Sequence, residues 1–278
     1  MSVPLRLDAA AKLNLSLRVV GRRDDGHHLL DSVFVLVDLA DRLLLLPGCS
    51  GLRIEGAGVR DLPLDASNLA WRGLVAGLGS EPELVCLALD KTIPAGGGLG
   101  GGSSDAAAAW RLGRAWRGAP DRPGSDELVE LSRIGADVPF FASGLAAARI
   151  GGIGERVEPM TPAARSVVLL HPPFGISTRA VFAELRPEEW GVAENDLLEP
   201  ALRLRPELRP LMDAMARAGG EPLLTGSGST IFTITDDPDR AAAVAAALQT
   251  AGLPVTMTRT RTAGTRIERL DAAEEEDR

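Results

Sequence analysis

The hydrophobic and polar positions in the first half of the chain follow two different periods. From Asn14 to residue 21 apolar and polar residues alternate, and after the charged turn RRDDG the apolar segment HHLLDSVFVLVDLADRLLLLPG follows. Alternation with a period of two indicates β-strands with one buried face. Residues 66–79, ASNLAWRGLVAGLG, instead carry apolar residues at helical spacing between a Ser/Asn start and a final glycine. This pattern predicts a helix after an initial β-region.

The second half of the chain alternates between strand and helix signals. SVVLLHPP predicts a strand, RPELRPLMDAMARAGG a helix, EPLLTGSGSTIFTIT a strand-turn-strand unit, PDRAAAVAAALQTAG a helix and LPVTMTRTRTAGTRIERL a terminal strand pair. This order is typical of an α+β fold with helices on one face of a sheet. A chain of 278 residues suggests two domains. Because EPMTPAA interrupts the pattern, we predict domains at residues 1–158 and 159–270, followed by an acidic tail at residues 271–278.

A glycine-rich run joins a predicted strand to a predicted helix. The strand-like ELVCLALDKTIP leads into Gly96–Gly102, in which Leu99 is the single residue that is not glycine, and we expect the next helix to begin at Ser103 or Ser104. Glycine lets a backbone approach a ligand closely, and the free N–H groups of a helix start attract anions. The join therefore predicts a phosphate cradle for a nucleoside triphosphate.

Other glycine-rich elements fit this join less well. A flexible linker would be rich in serine and would separate polar segments. A Walker A loop ends in Gly-Lys-Ser/Thr, whereas this run ends in Gly-Ser-Ser. The dinucleotide pattern G-x-G-x-x-G is matched, but the acid expected about 20 residues later falls in the turn-like APDRPGSD. The sequence contains no H-R-D or D-F-G, which excludes a protein kinase of the eukaryotic type.

Composition limits the partners and the location that we expect. A net charge of −8 disfavours a nucleic-acid partner. The chain contains no run of about 18 apolar residues that could span a membrane, and its start does not resemble a secretory signal. We therefore expect no membrane partner and a cytoplasmic location. Cys49 and Cys86 lack metal-ligand spacing, which favours buried free thiols over a disulfide or a zinc site. The sequence does not predict an oligomeric state.

Lysine is almost absent from the chain. Of its 30 basic residues only Lys12 and Lys91 are lysines, and the others are arginines. Arginine serves here wherever a cation needs only to be solvated, so a retained lysine suggests a place that requires a compact charge with an adjustable pKa. Chance survival under a compositional bias is the alternative for either residue. Lys12 lies at the head of the first apolar segment and Lys91 lies just before the glycine run.

Four separated segments resemble the GHMP family of small-molecule kinases. PAGGGLGGGSS at residues 94–104 is similar to the ATP loop of that family, and TGSGS at residues 225–229 to its C-terminal glycine motif. AAKLNLSLRVVGRRDDGHHLLDSVF at residues 10–34 and GADVPFF at residues 135–141 resemble one branch of the family, whose substrate carries a cytidine diphosphate group. The resemblance covers roughly residues 8–270. It implies a two-domain α+β fold, with an N-terminal domain like ribosomal protein S5 and a ferredoxin-like C-terminal domain.

The resemblance also implies a reaction and the residues that perform it. The branch phosphorylates the 2-hydroxyl of a diphosphocytidyl-methylerythritol with ATP, in the non-mevalonate route to isoprenoid precursors. Phosphorylating an alcohol requires the hydroxyl to lose its proton as it attacks the γ-phosphorus. By resemblance Asp137 is the base, and Lys12 pairs with it and orients the attacking oxygen.

Further site residues follow from the same resemblance. Asn14 is expected to hydrogen-bond the substrate and His28 to read the cytosine, while His27 stands where the family usually has a tyrosine that stacks on the base. Phe182 is expected on the other side of the base and Thr178 beside it, although an ordinary core aromatic is an equal alternative for Phe182. The family prolines on either side of that threonine are Ser177 and Arg179 here.

The nucleotide site is expected around the glycine run. Asn68 and Lys91 resemble residues near the adenine, and Mg²⁺ is expected with ATP because a cation offsets the phosphate charge. Ser104 and Asp105 lie near enough to be considered as ligands of the ion, with helix capping as the alternative for Asp105. The remaining ATP-binding residues implied by the resemblance are Pro94, Ala95, Gly96, Gly97, Gly98, Leu99, Gly100, Gly101, Gly102, Ser103 and Ser104.

Three other functions compete with this interpretation. Another GHMP kinase, acting on homoserine, mevalonate or a sugar, would not need the two branch-specific segments. A regulatory protein that binds nucleotide without catalysis would keep the glycine run but would not need both Lys12 and Asp137. A Rossmann oxidoreductase lacks the acid expected after the loop.

Overall fold

The computed structural model describes residues 3–57 and 62–270 as two β-sheets with helices packed against them. The predicted acidic tail lies outside the described residues. The α+β prediction is confirmed. Among the described residues, no helix combines the length and the apolar character that a membrane crossing needs.

The first sheet has seven strands and forms the frame of the N-terminal region. Its order is β11-β1-β2-β4-β3, with β5 paired to β2 and β6 paired to β5. Its strands are β1 (Leu5–Arg22), β2 (His28–Pro47), β3 (Gly51–Gly56), β4 (Val85–Lys91), β5 (Ala147–Gly152), β6 (Arg156–Met160) and β11 (Glu268–Arg269).

Strand β1 positions the first predicted site residues. Its outer half keeps the predicted alternation, with Leu17 and Val19 buried and Val20 exposed. Between Ala10 and Lys12 the pairing with β2 shifts register, and from residue 9 to residue 14 every side chain is buried. Such a bulge re-aims the side chains that follow it. The alternation is lost there because both faces of the strand are covered.

Four helices accompany the first sheet: α1 (Leu69–Leu78), α2 (Gly101–Trp116), α3 (Ser125–Ser132) and α4 (Val138–Ser143). Helix α1 begins where the sequence predicts, because the Asn68 side chain accepts from the Ala70 N–H, and it ends at Gly79. It packs closely on α2, since a side-chain carbon on Gly73 would lie 2.0 Å from the Ala106 carbonyl oxygen. Helix α2 starts at Gly101, two or three residues earlier than predicted, directly after the left-handed Gly100.

The second sheet lies in the C-terminal region and has the order β10-β7-β9-β8. Its elements are β7 (Ser166–Leu170), α5 (Thr178–Glu184), a 3₁₀ turn at Pro187–Glu189, α6 (Leu198–Leu204), α7 (Leu208–Arg217), β8 (Leu223–Leu224), β9 (Ile231–Thr235), α8 (Pro238–Thr250) and β10 (Val255–Arg259). Apolar residues of β7, β9 and α8 form its core, among them Val168, Ile231 and Leu248.

The structure corrects the predicted terminal strand pair. Strand β10 pairs with β7 in the second sheet, whereas β11 crosses back and pairs with Leu5 and Arg6 of the first sheet. Local pattern identified the strands but not their partners, because pairing is set by long-range packing. The domain boundary at residues 158/159 stays a prediction, and β6 continues to Met160 before β7 begins in the other sheet.

The prediction of free thiols is wrong. Cys49 and Cys86 form a disulfide, with their Cα atoms 5.3 Å apart. Strands β2 and β4 run antiparallel with Leu46 opposite Cys86, and the turn after β2 returns Cys49 to that place. The sequence separation of 37 between the two cysteines hid this proximity in the sequence.

Candidate active site

A cavity of about 530 Å³ lies between the first sheet, the start of α2 and the turn between β8 and β9. Most of the predicted site residues line it, including Lys12, Asn14, Asn68, Lys91, the whole run from Pro94 to Ser103, Asp137, Thr178 and Phe182. Among the described residues His27, His28 and Ser104 are not part of this lining.

Lys12 and Asp137 meet in the wall of the cavity. The Lys12 Nζ lies 3.6 Å from Asp137 Oδ2 and 2.5 Å from Asn14 Oδ1. Burial lowers the pKa of Lys12, and the Asp137 carboxylate opposes that shift. Asp137 precedes α4 without capping it, and its side chain is 30% exposed. Its carboxylate can therefore reach a bound molecule.

Asn14 connects this pair to the second sheet. Its Nδ2 donates to Ser32 Oγ at 3.0 Å, and its backbone N–H donates to Thr225 Oγ1 at 3.2 Å. Thr225 opens the predicted C-terminal glycine motif, 211 residues later in the chain. The motif thus fixes Asn14, and through it Lys12, by direct contact.

The glycine run is held by its carbonyl groups. Thr230 N–H donates to Gly97 O at 3.1 Å and Lys12 N–H to Leu99 O at 3.0 Å. Gly98 adopts φ +76°, and a side-chain carbon there would lie 2.2 Å from Thr225 O, so glycine is required at this position. Among the described residues, no N–H from Gly98 to Ser103 donates to a protein acceptor. These donors remain available to an anion at the start of α2.

Lys91 has a different environment from Lys12. Its Nζ contacts Asp41 Oδ2, and it lies 2.7 Å from Asp105 Oδ2. Asp105 does not cap α2, because the left-handed Gly100 occupies the cap position. Ser104 turns away from the cavity and donates to Ala10 O at 2.7 Å. Ser104 therefore does not line the cavity, whereas Asp105 lines it beside Lys91 and does not cap α2.

Asn68 borders the cavity, but its amide is already used. Its Oδ1 accepts from Ala70 N–H at 2.8 Å, and its Nδ2 donates to Pro63 O at 2.8 Å. The residue shapes the wall through these two hydrogen bonds.

Two aromatic side chains pack around His28, and one of them, Phe182, lines the cavity. The His28 ring stacks on Phe182 with centroids 5.1 Å apart, and Trp190 meets it edge-on at 5.7 Å. Burial lowers the pKa of His28, with help from the charges of Arg22 and His27, so the ring is neutral at neutral pH. A neutral imidazole offers one donor and one acceptor, which suits a base edge.

The two remaining predicted substrate residues differ in position. Thr178 lines the cavity, and its Oγ1 lies 2.9 Å from Ser227 Oγ in the C-terminal glycine motif. His27 lies outside, with 64% of its side chain exposed and its Nδ1 3.1 Å from Asp25 Oδ1. The structure therefore does not place His27 as a stacking platform in the cavity.

Comparison with known proteins explains this arrangement. The family described as GHMP kinases N terminal domain matches residues 68–145, and GHMP kinases C terminal matches residues 180–253. The 4-diphosphocytidyl-2-C-methyl-D-erythritol kinase of Thermus thermophilus is 37% identical over 266 residues, which cover 88% of this chain and 92% of that protein. The enzyme of the same name from Granulibacter bethesdensis is 38% identical, over 87% of this chain and 88% of that protein.

The chain belongs to the GHMP kinase family. A crystal structure of a 4-(cytidine 5'-diphospho)-2C-methyl-D-erythritol kinase matches this GHMP kinase with a TM-score of 0.74 and 34% identity, over 92% of this chain and 98% of that one. A homoserine kinase from Cytophaga hutchinsonii matches with a TM-score of 0.66 at 17% identity, over 96% and 98% of the two chains. The second likeness shows the shared fold alone.

Sequence reasoning missed two residues of this GHMP kinase site. Asp41 contacts Lys91 from the middle of β2, and the sequence pattern shows it only as part of an apolar strand. A single acid within VDLADRLLLL was the available signal, because a carboxylate in a buried strand needs a partner. Trp190 had no comparable signal, since it follows a short turn with no recognisable motif.

Proposed function

We propose that this GHMP kinase transfers the γ-phosphoryl group of ATP to the 2-hydroxyl of 4-diphosphocytidyl-2-C-methyl-D-erythritol, a step of the non-mevalonate route to isoprenoid precursors. The products are the 2-phosphate and ADP. The name shared by the relatives supports this substrate. The observation that carries the chemistry is the Lys12–Asp137 pair on the cavity that the glycine run also lines.

Asp137 serves as the base in this proposal. Its partly exposed carboxylate accepts the proton of the 2-hydroxyl as that oxygen bonds to the γ-phosphorus and the bond to the β-phosphate oxygen breaks. The Lys12 ammonium, 3.6 Å away, pairs with this carboxylate and offsets negative charge on the transferring group. Phosphoryl transfer needs little beyond this positioning and charge stabilisation.

The free N–H groups from Gly98 to Ser103 hold the ATP phosphates in the same proposal. The adenine lies toward Asn68. The cytidine end of the substrate lies toward His28 and Phe182, with Asn14 and Thr178 along the methylerythritol portion.

Mg²⁺ would reduce the negative charge of the phosphates when it is bound with ATP. The described residues contain no group of three or more His, Cys, Asp or Glu side chains that could hold a metal ion. One Asp105 oxygen lacks a hydrogen-bond partner, but the Lys91 ammonium contacts the same carboxylate and would repel a cation. These residues do not fit a cation site, so we assign Mg²⁺ no protein ligand.

We also propose a cytoplasmic location, where ATP is available to such a reaction. The expectation that nucleic acid is not a partner stays a prediction from net charge.

Product analysis tests the proposed function directly. The purified protein is incubated with ATP, Mg²⁺ and one of four alcohols: 4-diphosphocytidyl-2-C-methyl-D-erythritol, homoserine, mevalonate or galactose. We expect ADP and a phosphorylated product with the first alcohol alone, with the phosphate on the 2-oxygen by ³¹P NMR. Asp137→Asn should lower kcat by about 100- to 10,000-fold. Turnover of another alcohol would show that the proposed substrate is wrong. An unimpaired Asp137→Asn variant would show that Asp137 is not the base.

A further inference from the structure

Asp41 is a buried acid with contacts on two sides. It lies in β2 with 1% of its surface exposed. Its Oδ1 accepts the backbone N–H groups of Thr92 and Ile93, the two residues that lead into the glycine run. Its Oδ2 contacts the Lys91 ammonium. Asp41 therefore fixes both the backbone and the side chain at the end of β4.

Lys91 connects this end of the run to the other end. Its ammonium also lies 2.7 Å from Asp105 Oδ2, in the second turn of α2. A side-chain carbon on Gly101 would lie 3.4 Å from Lys91 Nζ, so the ammonium sits directly against the first residue of that helix. The loop from Pro94 to Gly100 starts at the end of β4 and finishes at the start of α2. The Lys91 side chain therefore links the two elements that this loop connects.

We propose that Asp41, Lys91 and Asp105 form a brace that positions the phosphate-binding loop, and that Lys91 supports ATP binding through this brace and not by reading the adenine. The inference rests on the proposed function in taking ATP as the ligand of the loop. All three are positioning residues, because they act on the nucleotide through the loop backbone.

The electrostatic environment of Lys91 supports the brace. Burial opposes the charge of Lys91, but Asp105 and Asp41 together raise its pKa, so the ammonium stays charged. Burial raises the pKa of Asp105 to about 8, and the Lys91 ammonium beside it opposes that rise. Asp41 accepts two backbone N–H groups with its Oδ1 and contacts the Lys91 ammonium with its Oδ2. An ammonium with two acids in contact and two of its three donors used has little charge left to offer a nucleotide.

A double-mutant cycle on nucleotide affinity tests the brace. The affinity for ADP is measured by calorimetry for wild type, Asp41→Asn, Lys91→Met and the double variant, without the cytidine substrate. We expect each single change to weaken ADP binding about tenfold, and the double variant to be no weaker than the worse single variant, because either change already breaks the brace. Additive losses, or an Asp41→Asn variant that binds like wild type, would overturn the proposal in favour of direct contact by Lys91.

The readout also separates positioning from general stability. Asp121→Asn is the matched control, because it removes the partner of buried Arg111 farther along α2, at 2.6 Å and away from the loop. It should lower the melting temperature without changing ADP affinity. In turnover assays Asp41→Asn should raise the KM for ATP about tenfold and leave kcat at saturating ATP within about threefold of wild type. Equal ADP affinity in Asp41→Asn and the control would contradict the brace.

Two further variants are measured in case Asp41→Asn fails to fold. Asp105→Asn keeps the size of the side chain and a hydrogen-bond acceptor for Lys91, so it should weaken ADP binding less than Asp105→Leu does. Asp105→Leu removes that acceptor and should weaken ADP binding about tenfold. Equal affinities of these two variants would contradict the brace. Loss of turnover with all alcohols, while ADP binding still follows this pattern, would count against the proposed function and not against the brace.

Discussion

The two lysines of the chain lie against successive glycines at the start of α2 and have opposite electrostatic environments. A side-chain carbon on Gly100 would lie 3.1 Å from Lys12 Cγ, and one on Gly101 would lie 3.4 Å from Lys91 Nζ. Lys12 has one carboxylate at 3.6 Å, and burial lowers its pKa. Lys91 has two carboxylates in contact, and they raise its pKa despite burial.

This difference separates two uses of the same residue type. The positive charge of Lys12 is only partly compensated, and its partner Asp137 is open to the cavity. That charge can act on a reacting group. The charge of Lys91 is compensated by buried acids, so it can connect parts of the protein but has little remaining effect on a ligand. The number and burial of partners, and not the residue type, distinguish the reaction side of the loop from its support side.

Lys12→Met should have a larger effect than any of the three substitutions that follow. It removes the cation beside Asp137 and beside the transferring group, so kcat should fall by about 100- to 1,000-fold. Steady-state turnover at saturating ATP and cytidine substrate measures this. Nearly normal turnover would show that the two lysines do not differ as described.

Gly98→Ala tests the loop that lies between the lysines. The new methyl group would lie 2.2 Å from Thr225 O, so this variant should lose about 2 to 3 kcal/mol more stability in urea unfolding than Gly118→Ala. Gly118 is the matched control, because it has φ +74° against +76° for Gly98 but no atom within 4 Å of the added carbon. Equal losses would mean that backbone conformation, and not the contact with Thr225, requires glycine at position 98.

Phe182→Leu tests the cytidine end of the site. Loss of the ring that stacks on His28 should raise the KM for the cytidine substrate about tenfold and leave the KM for ATP unchanged. Separate titrations of the two substrates measure this. An equal rise in both KM values would place Phe182 in the general packing of the core.

Asp105→Asn should have the smallest effect, seen in the pH dependence of stability. Its pKa of about 8 in the folded state lies above the ordinary value of 3.8. A raised pKa contributes stability below the unfolded value, and that contribution is lost as pH rises toward 8. The neighbouring Lys91, with its raised pKa, and Asp41 are the same in both proteins. Between pH 5.5 and pH 8 wild type should therefore lose more unfolding free energy than Asp105→Asn. Parallel profiles of unfolding free energy against pH would contradict the raised pKa of Asp105.

The sequence predicted one side of the loop far better than the other. The glycine run, Lys12 and Asp137 belong to local motifs, so they could be recognised without knowing which strands pair. Asp41 and Lys91 are 50 residues apart, and the two disulfide-bonded cysteines are 37 residues apart. Both contacts depend on the pairing of β2 with β4, which no local pattern specifies. The crossing of β11 into the first sheet was hidden for the same reason.

The most direct test of the central claim compares Asp137→Asn with Asp41→Asn in one turnover assay. Each variant removes one carboxylate from a different lysine. Across a full ATP titration with saturating cytidine substrate, Asp137→Asn should lose kcat at every ATP concentration, whereas Asp41→Asn should recover nearly wild-type kcat once ATP is saturating. If both variants lose kcat equally at saturating ATP, the division between a reacting lysine and a positioning lysine is wrong.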